Sequence, residues 1–263
     1  MRNVYKLSLR LITTLSLLGL PGLHAQTKPL IEKWLDGEVK ANYGKVTYDG
    51  PPIAMKFSTF VAPQTAMGKL QQRTFDRLKE DTNGKIVVTP YFGSTLANAQ
   101  RGAFDAVSQG IADFGTCYVL FNPGGFKLFL GLQLPYIFEN SMQSSSVAQE
   151  LYPKYLKKEY EARDVYLLHV NTTQPQQILT SRRPVNKLED MKGKKVWAPG
   201  ALSQELAQSL GSSPSNVQSS EIYTAFQSGV VDAVPMHDAG TKLFRLIEVA
   251  KYRTVANMWI NPT

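Results

Sequence analysis

The sequence predicts an α/β protein of two similar lobes, each a mixed, mostly parallel sheet flanked by helices, and three observations carry that prediction. A frame Ala-x-x-x-Gly-x-x-Asp occurs twice, at Ala106–Asp113 and at Ala225–Asp232. Gly110 and Gly229 stand where a helix stop places a left-handed residue, a conformation glycine adopts without a Cβ penalty. Each frame then continues into an apolar pair, Ile111-Ala112 and Val230-Val231, the pattern of strands buried on both faces. Finally, 263 residues with 43% hydrophobic and 10% aromatic content suffice for two ordinary domains or one large one. Helix-glycine-strand units recur in any α/β protein, so the pair by itself leaves both arrangements open. Two lobes would enclose a cleft, a preferred place to bind small molecules.

Taken in chain order, Arg2, Lys6 and Arg10 precede the apolar run Leu11–Leu20, and Leu23-His24-Ala25 closes on a small residue. This reads as a secretory signal over residues 1–25, cleaved near Ala25 and too short to span a membrane. Residues 26–52 read as an extension ending in the turn Asp49-Gly50-Pro51-Pro52. The first lobe is expected over 53–170. It begins with a strand at Ile53–Phe60, followed by a helix opened by Pro63-Gln64 that buries Met67, Leu70, Phe75 and Leu78 and stops at Asn83-Gly84. A strand from Ile86, a helix Asn98–Gln109 and a strand Ile111–Cys117 complete a β-α-β-α-β order, which implies parallel strands. After the apolar stretch Phe126–Phe138, a long helix Ser141–Tyr160 leads across to a strand Val165–Val170. The second lobe, 171–263, is expected to hold strands Gln177–Thr180, Lys195–Trp197 and Val230–Val234 and a returning strand Arg253–Met258. Its helices are expected after Gly200, at Ser220–Ser228 and at Asp238–Val249.

Removal of the signal leaves 26 basic against 21 acidic residues, a balance of +5. The excess is scattered, with Lys154, Lys157 and Lys158 on one helix face and Lys192, Lys194 and Lys195 around a turn, so solvated faces rather than a nucleic-acid or membrane patch are expected. Cys117 is the single cysteine, which excludes an intramolecular disulfide; ending an apolar run, it reads as a small buried hydrophobe. His169 and His237 alone survive signal removal, too few to build a His/Cys metal site of three or four ligands. No G-x-S-x-G, G-x-G-x-x-G or phosphate-loop pattern occurs, and Asp76, Glu80 and Asp81 read as solvated carboxylates, so neither an enzyme nor a cofactor is implied.

The run Leu188-Glu-Asp-Met-Lys-Gly-Lys-Lys-Val-Trp-Ala-Pro-Gly200 and the stretch Glu221–Asp232 resemble the solute-binding proteins of tripartite ATP-independent periplasmic (TRAP) transporters, DctP type. Thr180-Ser-Arg-Arg-Pro-Val185, Asn83-Gly-Lys-Ile-Val-Val88 and Leu134-Pro-Tyr-Ile-Phe138 extend the resemblance over residues 53 to 260. It implies a two-lobe, type II-like periplasmic-binding-protein fold with a long helix between lobes. The function it implies is a monomeric periplasmic receptor without cofactor that closes on a small organic solute and hands it to a TRAP permease. A binding protein of an ATP-driven importer and an extracytoplasmic enzyme on the same scaffold are the rival readings.

The departures from the family pattern are specific. Trp197 stands where the family usually places an arginine that grips a ligand carboxylate, and Gln177 where some members carry another. Met236 replaces the asparagine of D-G-x-E-N-P, with His237 next. The expected ligand set is therefore Phe60, Tyr118 and Trp197 for stacking, Met236 for apolar filling, and Gln177 and His237 for hydrogen bonding, each with core packing as its alternative. Either the solute is neutral, aromatic or polyhydroxylated, or a carboxylate is still held by Arg101, Arg182 or another cation moved into the site. Because members of the family run some tens of residues beyond the position of Thr263, a truncated second lobe and a first lobe short of packing are expected.

Overall fold

The computed structural model describes residues 30–40, 47–98, 102–122 and 124–262; the secretory segment, its cleavage point at Ala25 and Arg101 lie outside these. Helix α1 (Leu30–Leu35) occupies part of what the sequence suggested was only an extension, and it belongs to a unit ending at Lys45. The remaining elements belong to the unit Val46–Thr263.

Strands β1 (Ile53–Ser58), β2 (Ile86–Tyr91) and β3 (Phe114–Gly115) form a parallel sheet in the order β2-β1-β3, with α2 (Ala66–Asp81) and α3 (Ala103–Ser108) as crossovers. Thr65 starts α2, its hydroxyl accepting the Gly68 N–H. Gly68 approaches the preceding loop so closely that a Cβ would lie 2.3 Å from the Ala62 carbonyl. That approach rolls the Gly68–Phe75 line inward and leaves Met67 and Leu70 exposed, against the expected buried face. Phe75 meets Phe57 and Phe114 edge-on, with centroids 4.9 and 5.9 Å apart. Arg77 bridges both Glu80 and Asp81; Glu80 is solvated as expected, whereas the Asp81 side chain is only 10% exposed, which corrects its reading as a solvated carboxylate.

The repeated frame does the same work twice. Gly110 and Gly229 take φ of 70° and 79°. The N–H two residues on reaches back over the turn, from Ala112 to the Ala106 carbonyl and from Val231 to the Ala225 carbonyl. The closing aspartate then clamps the neighbouring parallel strand. Asp113 receives the Lys56 N–H on its carboxylate at 2.6 Å and donates its own N–H to the Lys56 carbonyl, and Asp232 does both to Lys195. Because the residues after each glycine are spent on this turn, the strands start late. β3 opens at Phe114 and the second-lobe strand at Ala233, while Ile111 and Val230 are exposed and only Ala112 and Val231 are buried, which corrects the expected starts.

Beyond β3, α4 (Lys127–Leu130) is capped by Glu159, whose two oxygens accept the N–H groups of Leu128 and Phe129. The long helix is present as α5 (Ser141–Leu151) and α6 (Lys157–Glu161), joined by a π-helical turn at Tyr152–Leu156. Pro153 accounts for the turn, since it lacks an N–H and its ring displaces the carbonyl one turn back. This helix closes the larger first-lobe core, where Tyr160 meets Phe126 and Phe129 with centroids 5.0 and 5.5 Å away. The expected strand Val165–Val170 is not one: Val165 and Val170 are buried, Tyr166 and Leu168 are exposed, and the segment joins neither sheet. Helix side chains take its backbone groups instead: Tyr152 OH accepts the Leu167 N–H, Gln149 donates to the Val170 carbonyl, and Ser145 accepts the Thr172 N–H.

The second sheet has the order β6-β5-β7-β4-β8, from β4 (Gln177–Thr180), β5 (Lys195–Trp197), β6 (Ser213–Ser215), β7 (Ala233–Met236) and β8 (Tyr252–Thr254). β5 runs parallel to β6 and β7, whereas β4 is antiparallel to β7 and β8. Alternation sends Leu179, Trp197 and Val234 to one core with Ile222 and Phe226 of α8 (Ile222–Ser228). Ile178, Val196 and Ala233 go to another with Ala207 of α7 (Ala201–Ser209). β6 has no strand composition and escaped the sequence reading. The helix expected to reach Val249 ends early: α9 (Asp238–Leu243) gives way to a left-handed Arg245, φ 56°, and a 3-10 turn.

The returning strand is three residues long, after which residues 256–262 run back along 172–176. Across this pair the Met258 N–H donates to the Gln176 carbonyl, the Gln176 N–H to the Trp259 carbonyl, and the Thr173 N–H to the Asn261 carbonyl. The crossover between the two sheets is therefore a short antiparallel pair.

Candidate functional site

In each sheet the parallel strands end on the side where the chain leaves for a helix, and in open α/β folds ligands bind outside those carboxyl ends. On the first sheet this edge carries Ser58 at the end of β1 with Thr59 and Phe60 following it, and Thr116, Cys117 and Tyr118 after β3. Phe60 and Tyr118 are brought together edge-on with centroids 5.3 Å apart, and Phe121 adds a third ring 5.9 Å from Tyr118. Burial pushes the Tyr118 phenol up to about 12, so it stays protonated throughout the neutral range. Ser58 is 3% exposed and its Oγ finds no partner among the described residues. The Cys117 thiol is likewise pushed up to about 12 by burial and packs against the first-lobe core, in keeping with its reading as a hydrophobe rather than a nucleophile.

On the second sheet the corresponding edge carries Trp197-Ala198-Pro199-Gly200 after β5 and Met236-His237 after β7, with Gln177 opposite Met236 in the β4–β7 ladder. Gln177, 5% exposed, has both ends of its amide engaged. Nε2 donates to the Pro175 carbonyl at 3.2 Å and to Asn257 Oδ1 at 2.7 Å, and Oε1 accepts the N–H groups of Ala256 and Asn257. Trp197 is 6% exposed, shares a core with Met236, and donates its indole N–H to the Val217 carbonyl at 3.0 Å. Met236 packs beneath α9, where a Cβ on Gly240 would lie 2.5 Å from its sulfur. The six expected residues thus form two groups: Phe60 with Tyr118, and Gln177, Trp197, Met236 and His237 along the neighbouring β4, β5 and β7.

The two groups approach each other through a contact the sequence did not single out, Leu120 against Gly200. Tyr118 lies two residues before Leu120, and Trp197 three before Gly200. Arg182, offered as a cation that could move into the site, is overturned in that role. It follows the opposite end of β4 and its guanidinium lies over Gly229, beyond the start of β7. A separate apolar cavity of about 460 Å³, lined among others by Ile178, Val185, Met191, Leu206, Leu210 and Met258, lies on the other face of the second sheet.

His237 caps α9, its Nδ1 accepting the Gly240 N–H at 3.2 Å, which requires that nitrogen to be unprotonated. Burial holds its pKa below the ordinary 6.5 although Asp238 pulls the other way. A histidine whose folded pKa is depressed is favoured neutral in the fold. Its contribution is complete above pH 6.5 and is lost as pH falls through the folded value, because the unfolded chain then binds the proton first. The melting temperature is therefore expected to fall on acidification from pH 6.5 to 5, and less so in His237→Asn, which keeps a capping oxygen but does not titrate. A cap of about 1 kcal/mol corresponds to roughly 2–4 °C. Parallel melting curves of the two proteins across that window would mean the cap does not respond to protonation.

Comparison with known proteins places these features in context. The profile of the bacterial extracellular solute-binding proteins, family 7 (DctP), matches residues 57–263. The C4-dicarboxylate-binding periplasmic protein DctP of Rhodobacter capsulatus is 30% identical over 215 residues, covering 78% of this chain and 62% of that protein. The sialic acid-binding periplasmic protein SiaP of Vibrio cholerae is 27% identical over 195 residues, 71% of this chain and 58% of its own. Among solved structures, a TRAP periplasmic solute-binding protein of Desulfovibrio salexigens in an open complex is 31% identical with a TM-score of 0.66, covering 80% of this chain and 64% of that one. One from Bordetella bronchiseptica with bound mandelate is 24% identical with a TM-score of 0.72, covering 80% and 67%. The chain spans about three-fifths of the length of these two curated relatives.

Proposed function

Because the chain belongs to the bacterial extracellular solute-binding proteins of family 7, the DctP family, we propose that it serves as the extracytoplasmic receptor of a TRAP-type secondary transporter. In this reading it captures a small organic solute between two lobes, closes about its hinge, and delivers the solute to a membrane permease. It is made with a signal cleaved near Ala25, acts in the periplasm as a monomer, and performs no chemistry on its cargo. The observation that carries the reading is the pairing of two sheets through the antiparallel segments 172–176 and 256–262, with the carboxyl ends of β3 and β5 meeting at Leu120 and Gly200. Two bodies on a narrow hinge can close on a ligand that touches both.

Phe60 and Tyr118 form the ligand-facing wall, offering ring edges and faces to an aromatic or otherwise apolar part of the solute. The unpartnered Ser58 hydroxyl beside them supplies a polar contact. Gln177, Trp197 and Met236 support the opposite wall from behind, since the polar atoms of Gln177 and Trp197 already have protein partners, while His237, whose Nδ1 caps α9, offers its Nε2 for a hydrogen bond. Without the usual arginine at position 197, discrimination rests on shape and stacking more than on a carboxylate clamp.

A thermal-shift screen of the 26–263 chain with aromatic acids, alkyl carboxylates and polyols tests this. A compound present at a hundred times its Kd should add about 2.7 kcal/mol of stability and raise the midpoint by several degrees. Phe60→Ala and Tyr118→Ala should each abolish the rise. A compound that stabilises all three proteins equally would move the site elsewhere, and conversion of a compound by the purified chain would replace the receptor reading with an enzymatic one.

A further inference from the structure

The geometry points to Leu120 and Gly200 as the closing stop of the two lobes, the contact that sets how near β3 and β5 can approach. This inference rests on the hinge-closing reading but on none of its ligand assignments. Val119 is anchored in the first-lobe core at 1% exposure, so the next residue, Leu120, is presented away from that core. There it meets Gly200, the residue before α7, and the pair is buried. An ideal Cβ at position 200 would lie 2.4 Å from Leu120 Cδ1 and 2.9 Å from the Leu120 carbonyl oxygen.

Two features make this more than tight packing. The backbone of Gly200, φ −120° and ψ 161°, is an extended conformation open to any residue, so nothing in its own torsions calls for glycine. Its position, the N-cap of α7, favours serine, aspartate or asparagine modestly over glycine for helix stability. Glycine is therefore required there by the neighbour across the gap. The second obstacle is a backbone carbonyl, which cannot rotate aside as a side chain does; to reach ordinary contact it must retreat by about half an ångström or more. Val119, fixed in its core, carries that displacement to the first lobe as a whole, and rotation about the hinge enlarges it at distant points.

The experiment places spin labels at Lys79→Cys on α2 and Glu205→Cys on α7 in a Cys117→Ala background and reads the inter-label distance without ligand. Gly200→Ala and Gly200→Ser should each lengthen the mean distance by more than about 1 Å, although serine improves the local cap. Adding Leu120→Ala should recover part of the change, because it removes Cδ1 but not the carbonyl. Leu120→Phe, which keeps Gly200, should open the lobes from the other side and serves if the position-200 variants fold poorly. An unchanged distance in folded Gly200→Ala or Leu120→Phe would overturn the stop. Such a failure leaves solute binding untouched, and a failed solute screen would leave the distance shift standing, so the two readings fall separately.

Discussion

Trp197→Arg is expected to lower the stability of the second lobe by about 3–5 kcal/mol rather than to restore the carboxylate clamp that the family usually carries at this position. The indole is 6% exposed and packs among Leu179, Ile222, Phe226, Val231, Val234 and Met236, none of which can pair with a guanidinium. Removing it opens a cavity, and putting a cation there strips the charge of water without compensation. The Val217 carbonyl also loses the indole N–H. Trp197→Phe, which keeps most of the volume, should cost roughly 1–2 kcal/mol. Denaturant unfolding of the three proteins decides the matter. If the arginine variant is as stable as the parent, the indole is not part of the core and direct contact with solute becomes its better explanation.

Gln177→Leu should have the next largest effect, and it should appear at the hinge. The native amide oxygen accepts the N–H groups of Ala256 and Asn257, and the amide nitrogen donates to the Pro175 carbonyl and to Asn257 Oδ1. Leucine matches the volume but takes the acceptor away from the part-buried N–H groups of Ala256 and Asn257, for a loss of about 1–3 kcal/mol. Hydrogen exchange should accelerate at 256–258 and across the paired segment 172–176. Gln177→Glu keeps the two acceptor contacts and should restore part of that protection. If exchange in the leucine variant accelerates nowhere near residue 256, the amide does not hold the hinge and its expected role as a solute ligand regains ground.

How much of this was legible in the sequence depends on how local the cause is. Gly110 and Gly229 announce their left-handed turns because no other residue takes that conformation cheaply, and the alternation of Ile178 with Leu179 and of Val196 with Trp197 marks β4 and β5. The frame also carried Asp113 and Asp232, although their clamps on Lys56 and Lys195 appear only once the strands are laid side by side. β6 was missed because Ser213-Pro214-Ser215 is a strand by virtue of its neighbour β5 alone. The stretch Val165–Val170 reads as a strand because it is an apolar run bounded by valines, while its hydrogen bonds go to the side chains of Gln149 and Tyr152.

The candidate site divides in the same way. That an arginine is missing at position 197 is written in the chain, and so are the aromatic residues Phe60 and Tyr118 after their strands. Two of the expected site side chains have partners distant in sequence: Gln177 is tied to Asn257 eighty positions away, and Trp197 to Val217 twenty away.

The sequence alone determined the two helix-glycine-strand units, the family likeness and the departures from it, because torsional preference, side-chain periodicity and residue identity are local properties. Only the tertiary structure decided which polar atoms are already satisfied, which apolar faces are closed, and where Leu120 meets Gly200. Hydrogen-bond satisfaction and steric contact are relations between segments that folding brings together, and neither partner carries a mark of the other.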